Sequence, residues 1–200
     1  MSNADRELRS AAARVEVPEL DLAGLAEREG LLDVAYATVE SPLGPLVLAS
    51  TPRGLVRSSY ADGGEEPVLE DLARRVSPRV LEAPARLDSV RRELDEYFEG
   101  RRNSFDVAVD WSILTGFTRE ILRATAAIPF GSTGTYRSVA TEAGSPRAVR
   151  AAGNSLGSNP MPIVVPCHRI LHTGGGLGGY TGGLERKEYL LRLEGVLEDG

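Results

Sequence analysis

The only cysteine of the chain, Cys167, stands beside one of its two histidines, His168. A cysteine thiolate is a strong nucleophile and an imidazole can accept the thiol proton, so this pair could perform nucleophilic chemistry. Adjacent side chains of an extended segment point to opposite sides, so the proton would have to pass through a bridging water. A lone cysteine is also commonly a small buried hydrophobic residue, and its neighbours must decide between the two interpretations.

Prolines enclose the apolar run that leads to this cysteine. Pro160, Pro162 and Pro166 fix φ and remove backbone donors, which predicts a short buried strand over residues 163–165 with Cys167 at its end. A strand end would hold the thiol rigidly, as a reacting nucleophile requires.

An acidic group near the C-terminus could complete the site, because the imidazole needs a partner that orients it and stabilises its charged form. Glu194 is the candidate, since the helical segment before it could pack back against Cys167 and His168. The alternative is a solvated glutamate at a helix end, and spacing alone does not separate the two.

Length and composition limit the class of protein. A chain of 200 residues can form one or two small domains with their own cores, and 42% hydrophobic with 26% charged residues is typical of a soluble globular protein. A single cysteine makes no internal disulfide, which fits a reducing compartment. With no signal peptide and no apolar run of about 20 residues, the sequence predicts a cytoplasmic protein without membrane contact.

Charge is divided unevenly along the chain. The net charge is −6, yet residues 1–100 hold 12 basic and 20 acidic residues, whereas residues 101–200 hold 11 and 9. The second half could therefore meet nucleic acid, although without the strong field that gives high non-specific affinity. All but one of the 23 basic residues are arginine, which favours planar contacts to phosphates and bases.

The first half is predicted to be an α/β domain at residues 33–110, preceded by an extension at residues 1–32. The extension, with a helical pattern at 5–15, is expected to be a passive tail or a packing helix. Strand patterns predict a small antiparallel sheet from segments at 34–39, 46–50, 55–59 and 107–109. Helical periodicity predicts helices at 68–76 and 87–98.

The second half, residues 111–200, has mainly helical patterns. Its predicted helices lie at 117–128, 136–143 and 146–156. The last two are joined by a tight turn at Gly144 and resemble a helix-turn-helix, with Thr135 and Ser145 as expected N-caps.

The second helix of this pair has an unusual surface, because Arg150 stands among residues with small side chains. Those small residues are Ala148, Ala151, Ala152, Gly153 and Ser155. A helix with small side chains can enter a narrow space such as the DNA minor groove, where an arginine could fill the gap left by an extruded base. The alternative is that the small residues serve helix packing and that Arg150 is a solvated charge.

The segment Pro166-Cys167-His168-Arg169, preceded by Asn159-Pro160 and followed by Gly179-Tyr180-Thr181-Gly182-Gly183-Leu184, resembles the active-site segment of the O6-alkylguanine-DNA alkyltransferases, or methylated-DNA-protein-cysteine methyltransferases. The similarity covers roughly residues 34–195. It implies a ribonuclease-H-like N-terminal domain, followed by a winged-helix-like domain that contains the helix-turn-helix.

This resemblance implies a direct-reversal DNA repair protein. Such a protein binds double-stranded DNA through the minor groove and flips O6-alkylguanine, and also O4-alkylthymine, out of the duplex. It then transfers the alkyl group irreversibly to Cys167 in a single turnover, without a cofactor. The resemblance further implies a monomer, acting alone or in cooperative assemblies on DNA. No metal is expected, since neither cysteine nor histidine precedes Cys167 to form the zinc site of some relatives.

The resemblance also assigns roles to individual residues. The implied catalytic residues are Cys167, His168, Glu194, Tyr136 as proton donor to guanine N3, and Asn159 as the residue that fixes the active-site loop. The implied DNA contacts are Thr135, Tyr136, Ser145, Arg150, Ala151 and Gly153. The implied lining of the base pocket is Pro162, Ile170, Tyr180, Thr181 and Gly182.

Three other classes of function are less consistent with the residues. A lesion-binding protein without transfer activity would lack the nucleophile, which is present here. A cysteine hydrolase would need direct contact between thiol and imidazole, which adjacent positions disfavour, and it would leave the helix-turn-helix unexplained. A methyl-responsive transcription factor would need a further sensor domain with cysteines of its own.

Overall fold

The structure, a computed structural model, describes residues 22–198. The first helix, α1, is Leu22–Arg28. The helix predicted at 5–15 and most of the predicted extension lie outside the described residues. Within the described part of the chain, no helix is both long enough and apolar enough to span a bilayer.

A four-stranded sheet forms the centre of the N-terminal half. Three strands form the predicted antiparallel meander, and these are β1, Val34–Val39, β2, Leu46–Thr51, and β3, Gly54–Tyr60. A fourth strand, β4, Val80–Glu82, pairs in parallel with β1, so the strand order is β3-β2-β1-β4. The expectation of a purely antiparallel sheet is therefore wrong, because an intervening helix returns the chain to the same end of the sheet.

Two amphipathic helices accompany this sheet. Helix α2, Glu66–Arg75, supplies the crossover between β3 and β4, and α3, Asp88–Phe98, follows a 3-10 turn at Pro84–Leu87. Both helices begin within two residues of their predicted starts, because the apolar residues whose spacing predicts each helix are also the ones that it buries.

The segment predicted as a last strand, residues 107–109, makes only an isolated bridge. Val109 pairs with Leu55, while the Leu55 amide donates to the Ala108 carbonyl at 2.8 Å and the Asp110 amide donates to the Leu55 carbonyl at 2.8 Å. These bonds cover part of the outer edge of β3, which is an edge strand.

The C-terminal half is mainly helical, as predicted. Its helices are α4, Gly116–Ala126, α5, Tyr136–Glu142, α6, Val149–Gly157, and α7, Leu184–Leu193. A short parallel pair joins β5, Gly134–Thr135, to β6, Ile170–Leu171.

The two helices of the predicted helix-turn-helix begin differently. Thr135 caps α5 as expected, because its hydroxyl accepts from the Ser138 amide at 3.0 Å and the Ser138 hydroxyl accepts from the Thr135 amide at 2.8 Å. Ser145 does not cap α6, whose N-cap is Ala148. The Ser145 carbonyl instead accepts from the Ala148 amide in a turn, which delays the start of the helix by three residues.

One apolar core runs through both halves of the chain. It joins the sheet and α3 to the C-terminal helices, and its members include Leu48, Leu94, Tyr97, Ile121, Met161, Ile170 and Leu190. A smaller cluster lies between the sheet and α2 and contains Val34, Ala49, Val56 and Leu72. The predicted domain boundary at residue 110 stays a prediction, and the candidate site rests on the shared core.

The turn before β3 yields a test of this packing. Gly54 has φ +133°, and a Cβ atom there would lie 2.3 Å from the Ala108 carbonyl oxygen. We expect Gly54→Ala to lower the free energy of unfolding by about 3 kcal/mol, because strain and overpacking add. Gly63→Ala is the control, since no atom lies within 4 Å of its Cβ position. Urea unfolding that gives equal losses for both variants would contradict this interpretation.

Candidate active site

Cys167 lies at the end of a buried turn rather than of a strand. In the active-site turn, residues 159–166, the Val165 amide donates to the Met161 carbonyl at 2.8 Å, and a 3-10 helix, Cys167–Arg169, follows directly. Ile163 has φ +75°, a left-handed conformation that costs a branched side chain about 1–2 kcal/mol. The strand predicted at residues 163–165 is therefore wrong, because the prolines and this residue close the backbone into a turn.

The Asn159 side chain holds this turn closed. Its Oδ1 accepts from the Met161 amide at 3.0 Å, and its Nδ2 donates to the Val165 carbonyl at 2.8 Å. The same Nδ2 lies 3.2 Å from the Cys167 Sγ. One buried amide thus fixes both the turn and the sulfur, with side-chain to backbone bonds of the kind that the sequence predicted.

Cys167 is buried, with 5% of the residue's surface exposed. Burial raises the pKa of Cys167 to about 11, although the Asn159 hydrogen bond and the Lys187 charge act in the opposite direction. The thiol is consequently protonated near neutral pH, and nucleophilic attack needs a base that takes its proton.

His168 and Glu194 form a fully buried pair. His168 Nε2 lies 2.9 Å from Glu194 Oε1. The packing of α7 brings these two residues together although they are distant in sequence, as predicted. Burial lowers the pKa of His168, and the Glu194 carboxylate opposes that effect. Among the described residues, His168 Nδ1 has no hydrogen-bond partner. A neutral imidazole that donates through Nε2 keeps the Nδ1 lone pair free to accept a proton.

The Glu194 carboxylate collects further donors from distant parts of the chain. Tyr97 donates its hydroxyl to Oε1 at 2.7 Å, Arg169 Nε donates to Oε2 at 2.8 Å, and the Gly131 amide lies 3.4 Å from Oε2. Burial is the largest effect and raises the pKa of Glu194, but the hydrogen bonds from His168 and Arg169 lower it overall to about 2. The carboxylate is therefore charged at neutral pH.

Two of these partners were not identified from sequence. The sequence suggested a structural role for Arg169 without naming a partner, and this residue is 6% exposed and also donates to the Ile128 carbonyl. Tyr97 followed a helical apolar pattern, and the one available signal was that a buried tyrosine usually needs a hydrogen-bond partner.

A cavity of about 230 Å³ opens in front of the sulfur. Its lining consists of Tyr136, Gly153, Leu156, Gly157, Cys167, Ile170, Gly179, Tyr180 and Thr181. Of the predicted pocket residues, Pro162 and Gly182 are not in this lining. The Pro162 carbonyl accepts from Ser58 Oγ at 3.2 Å, and Gly182 lies against the Tyr60 ring, so both contact β3 instead.

Side chains of the lining are held from several directions. The Tyr180 ring is T-shaped to His168, with centroids 6.3 Å apart. Thr181 Oγ1 donates to the Gly157 carbonyl at 3.1 Å, and the Tyr136 ring lies 5.3 Å from the ring of His172, to which the sequence assigned no role.

A buried lysine anchors the loop that carries Tyr180. Lys187, the single lysine of the chain, donates to the Ile170 carbonyl at 2.6 Å and also to the Leu177 and Gly179 carbonyls. Burial lowers its pKa to about 8. Sequence reasoning missed this residue, because nothing local indicates that a lysine on an amphipathic helix is fully buried.

Helix α6 presents only part of its small-residue surface to solvent. Arg150 and Ala151 are exposed, whereas Ala152 and Ser155 are buried, and Ser155 Oγ lies 3.1 Å from Thr118 Oγ1 of α4. The other predicted DNA-contact residues are half-buried, and these are Thr135, Tyr136, Ser145 and Gly153. Packing therefore explains two of the small residues, and Arg150 projects from the open face.

Sequence models of two protein domains match the two halves of the chain. The 6-O-methylguanine DNA methyltransferase ribonuclease-like domain matches residues 34–111, and the DNA binding domain of the same proteins matches residues 116–196. Fold and site together define a DNA-binding transferase with a buried cysteine.

Individual relatives agree with these matches. A methylated-DNA-protein-cysteine methyltransferase of Methanosarcina barkeri is 35% identical over 159 residues, which are 80% of this chain and 96% of that protein. One of Mycolicibacterium paratuberculosis is 39% identical over 80% of this chain and 92% of its own. The Mycobacterium tuberculosis OGT crystallised in complex with DNA has a TM-score of 0.68 and 35% identity, covering 80% of this chain and 92% of that one.

The chain belongs to the 6-O-methylguanine DNA methyltransferase family. It is thus a transferase that acts in DNA repair by alkyl transfer. The predicted fold is confirmed at the level of a ribonuclease-like domain with a small mixed sheet, followed by a helical DNA-binding domain.

The buried carboxylate yields a pH-dependent prediction. We expect Glu194→Gln to lower the free energy of unfolding by about 3–5 kcal/mol at pH 7, because Arg169 loses its buried partner. Since the folded pKa of about 2 lies below the usual 4.5, this contribution is present above pH 4.5 and is lost as the pH falls toward 2.

The control is Glu188→Gln on α7, the helix that ends just before Glu194, because the exposed pair of Glu188 with Arg192 spans 3.8 Å and should contribute less than about 1 kcal/mol. Urea unfolding at pH 7 and at pH 3 measures both differences. A Glu194→Gln loss that equals the control, or that is unchanged at pH 3, would contradict the assignment.

Proposed function

We propose that this protein repairs O6-alkylguanine in double-stranded DNA by moving the alkyl group onto its own Cys167. The observation that carries the proposal is the position of the sole cysteine at a cavity, beside a buried histidine that pairs with a buried carboxylate. Names of the relatives support the same reaction, since they are methylated-DNA-protein-cysteine methyltransferases.

The first step is ionisation of the thiol. A water passes the Cys167 proton to the unpaired Nδ1 of His168, and the Glu194 carboxylate at Nε2 stabilises the resulting imidazolium. The Asn159 amide stabilises the thiolate, because its Nδ2 already points to Sγ at 3.2 Å. These contacts offset the burial that raises the pKa of the thiol.

The second step is a single displacement at the alkyl carbon. The sulfur forms a bond to this carbon while the bond from carbon to O6 breaks, and the electron pair passes to the guanine. Tyr136 lines the cavity and donates its phenolic proton to guanine N3 as negative charge develops. The phenolate and the imidazolium then return to neutrality by proton exchange with solvent.

The base reaches this cavity by leaving the duplex. Because Cys167 is only 5% exposed, its sulfur cannot attack the alkyl carbon on O6 in line while the base remains stacked. Helix α6 enters the minor groove, Arg150 fills the gap in the stack, and Thr135, Ser145 and Ala151 contact the backbone on either side. An O4-alkylthymine presents the same alkyl-oxygen bond and is a second substrate of the same cavity.

The pocket recognises the base through its walls and its backbone. Ile170, Tyr180 and Thr181 flank the base, with backbone groups near Cys167 reading its edge. Pro162 and Gly182, which lie outside the cavity lining, act indirectly by fixing the segments that carry this wall.

The reaction consumes the protein. Its product is a thioether, which is chemically stable, and the chain has no second cysteine that could remove the alkyl group. The protein therefore acts once. It does so in the cytoplasm as a monomer, which works alone or in cooperative assemblies on DNA.

Mass spectrometry tests the acceptor. After incubation with a duplex that contains one O6-methylguanine, we expect one added methyl group on the peptide that contains Cys167, at no more than one equivalent. Cys167→Ser should gain none. Binding of the damaged duplex without any adduct would exclude transfer and would indicate a lesion-binding protein instead.

Single-turnover kinetics test base extrusion. We expect Arg150→Ala to slow transfer from a saturating duplex by about tenfold or more, because extrusion costs a few kcal/mol, while transfer from a single-stranded oligonucleotide is unchanged. Arg147→Ala removes the same charge from the neighbouring turn and should weaken binding with little effect on the saturated rate. Equal slowing on both substrates by Arg150→Ala would contradict a role in extrusion.

A further inference from the structure

A tyrosine from the N-terminal sheet supports the wall of the cavity. Tyr60, the last residue of β3, lies with its hydroxyl 2.9 Å from the hydroxyl of Tyr180. The two rings are T-shaped, with centroids 6.3 Å apart. Tyr180 lines the cavity and Tyr60 does not, so Tyr60 acts on the cavity only through its neighbour.

Arg186 of α7 holds Tyr60 in place. Its guanidinium carbon lies 4.1 Å from the centroid of the Tyr60 ring, which is a short cation–π contact. Its two terminal nitrogens donate to both oxygens of Asp62 at 2.6 and 2.5 Å. Its Nε donates to the Leu43 carbonyl at 2.9 Å, so the guanidinium plane is fixed on three sides.

The same arginine also reaches the loop after Tyr180. Arg186 Nη1 donates to the Gly182 carbonyl at 3.2 Å. A Cβ atom at Gly182 would lie 2.3 Å from the Tyr60 ring, so only glycine permits this approach. Tyr60, Asp62 and Arg186, here called the brace, therefore contact both Tyr180 and the loop that follows it.

Charge and burial keep the brace in one state near neutral pH. Burial raises the pKa of Tyr60 to about 12, so its hydroxyl stays protonated and can hydrogen-bond to the Tyr180 hydroxyl. The Arg186 hydrogen bonds lower the pKa of Asp62, which keeps that carboxylate charged.

We propose that Tyr60, held by Arg186 and Asp62, is a positioning residue that sets where the Tyr180 ring stands relative to Cys167 and so limits the size of the alkyl group transferred. This inference rests on the proposed function, because it concerns the same cavity. The hydrogen bond between the Tyr60 and Tyr180 hydroxyls, with Arg186 stacked on Tyr60, keeps the Tyr180 ring at one distance from Cys167. Loss of this hydrogen bond lets the Tyr180 ring move away from the sulfur.

Tyr60→Phe and Arg186→Lys test the brace. The first removes only the hydroxyl that faces Tyr180, and the second keeps the charge but removes the planar fork. Matched controls are Tyr36→Phe, from the opposite face of the sheet, and Arg192→Lys, from an exposed position of α7. Single-turnover rate constants are measured at saturating duplex with O6-methylguanine and with O6-ethylguanine, together with duplex affinity and the fraction of active protein.

For both brace variants we expect methyl transfer to slow about fivefold, the effect of one net hydrogen bond. Ethyl transfer should slow less, so that the ratio of the ethyl to the methyl rate constant rises about threefold with unchanged duplex affinity. The reason is that a methyl group is held less well than an ethyl group in a wider cavity. The control variants should keep the ratio of the unmodified protein.

The outcomes separate this inference from the function on which it rests. If the unmodified protein transfers neither group, the proposed function and the inference fail together. If it transfers both but the brace variants keep its ethyl-to-methyl ratio, only the inference is overturned and Tyr60 has a purely structural role. A loss of activity that follows the active fraction equally for both substrates leads to the same conclusion.

Discussion

The buried carboxylate of Glu194 makes the interactions on which the candidate site depends. A carboxylate without partners would be too costly to bury, so its donors must be present and correctly placed in the folded chain. They come from three separate segments, through Tyr97, Gly131 and the adjacent pair His168 and Arg169. The hydrogen bonds that allow Glu194 to be buried in the folded chain therefore also orient the His168 imidazole.

This requirement makes the two halves of the chain interdependent. Tyr97 belongs to α3, yet its hydroxyl satisfies an oxygen that also orients His168. The brace adds a second link, from the end of β3 to Tyr180. The N-terminal half thus contributes to the geometry of a candidate site whose proposed reacting atoms all belong to the C-terminal half.

The position of the candidate site could be predicted from sequence, because its main residues are close together and of unusual types. Asn159, Cys167 and His168 lie within ten positions, and the single cysteine directed attention to them. The conformation between them could not be predicted, since a branched residue such as Ile163 gives no local signal that its φ will be positive. Prolines indicated a rigid segment but did not distinguish a strand from a turn.

Long-range partners escaped prediction for a different reason. Nothing local marks Tyr97, Lys187 or Tyr60, because their polar atoms acquire a role only when a distant segment packs against them. Strand β4 was missed because three residues, none of them buried, are too few to show an alternation. The helices of the C-terminal half were easier, since their periodicity is long.

The covered edge of β3 has a consequence for synthesis on the ribosome. The Ser58 amide donates to the Pro160 carbonyl at 2.9 Å, and the Leu55 amide donates to the Ala108 carbonyl, so later parts of the chain occupy the backbone groups of this edge strand. An N-terminal half emerges first and must wait for them. Until about a hundred further residues have been translated, the backbone groups at the Ser58 end of β3 lack this partner and can pair with another nascent chain.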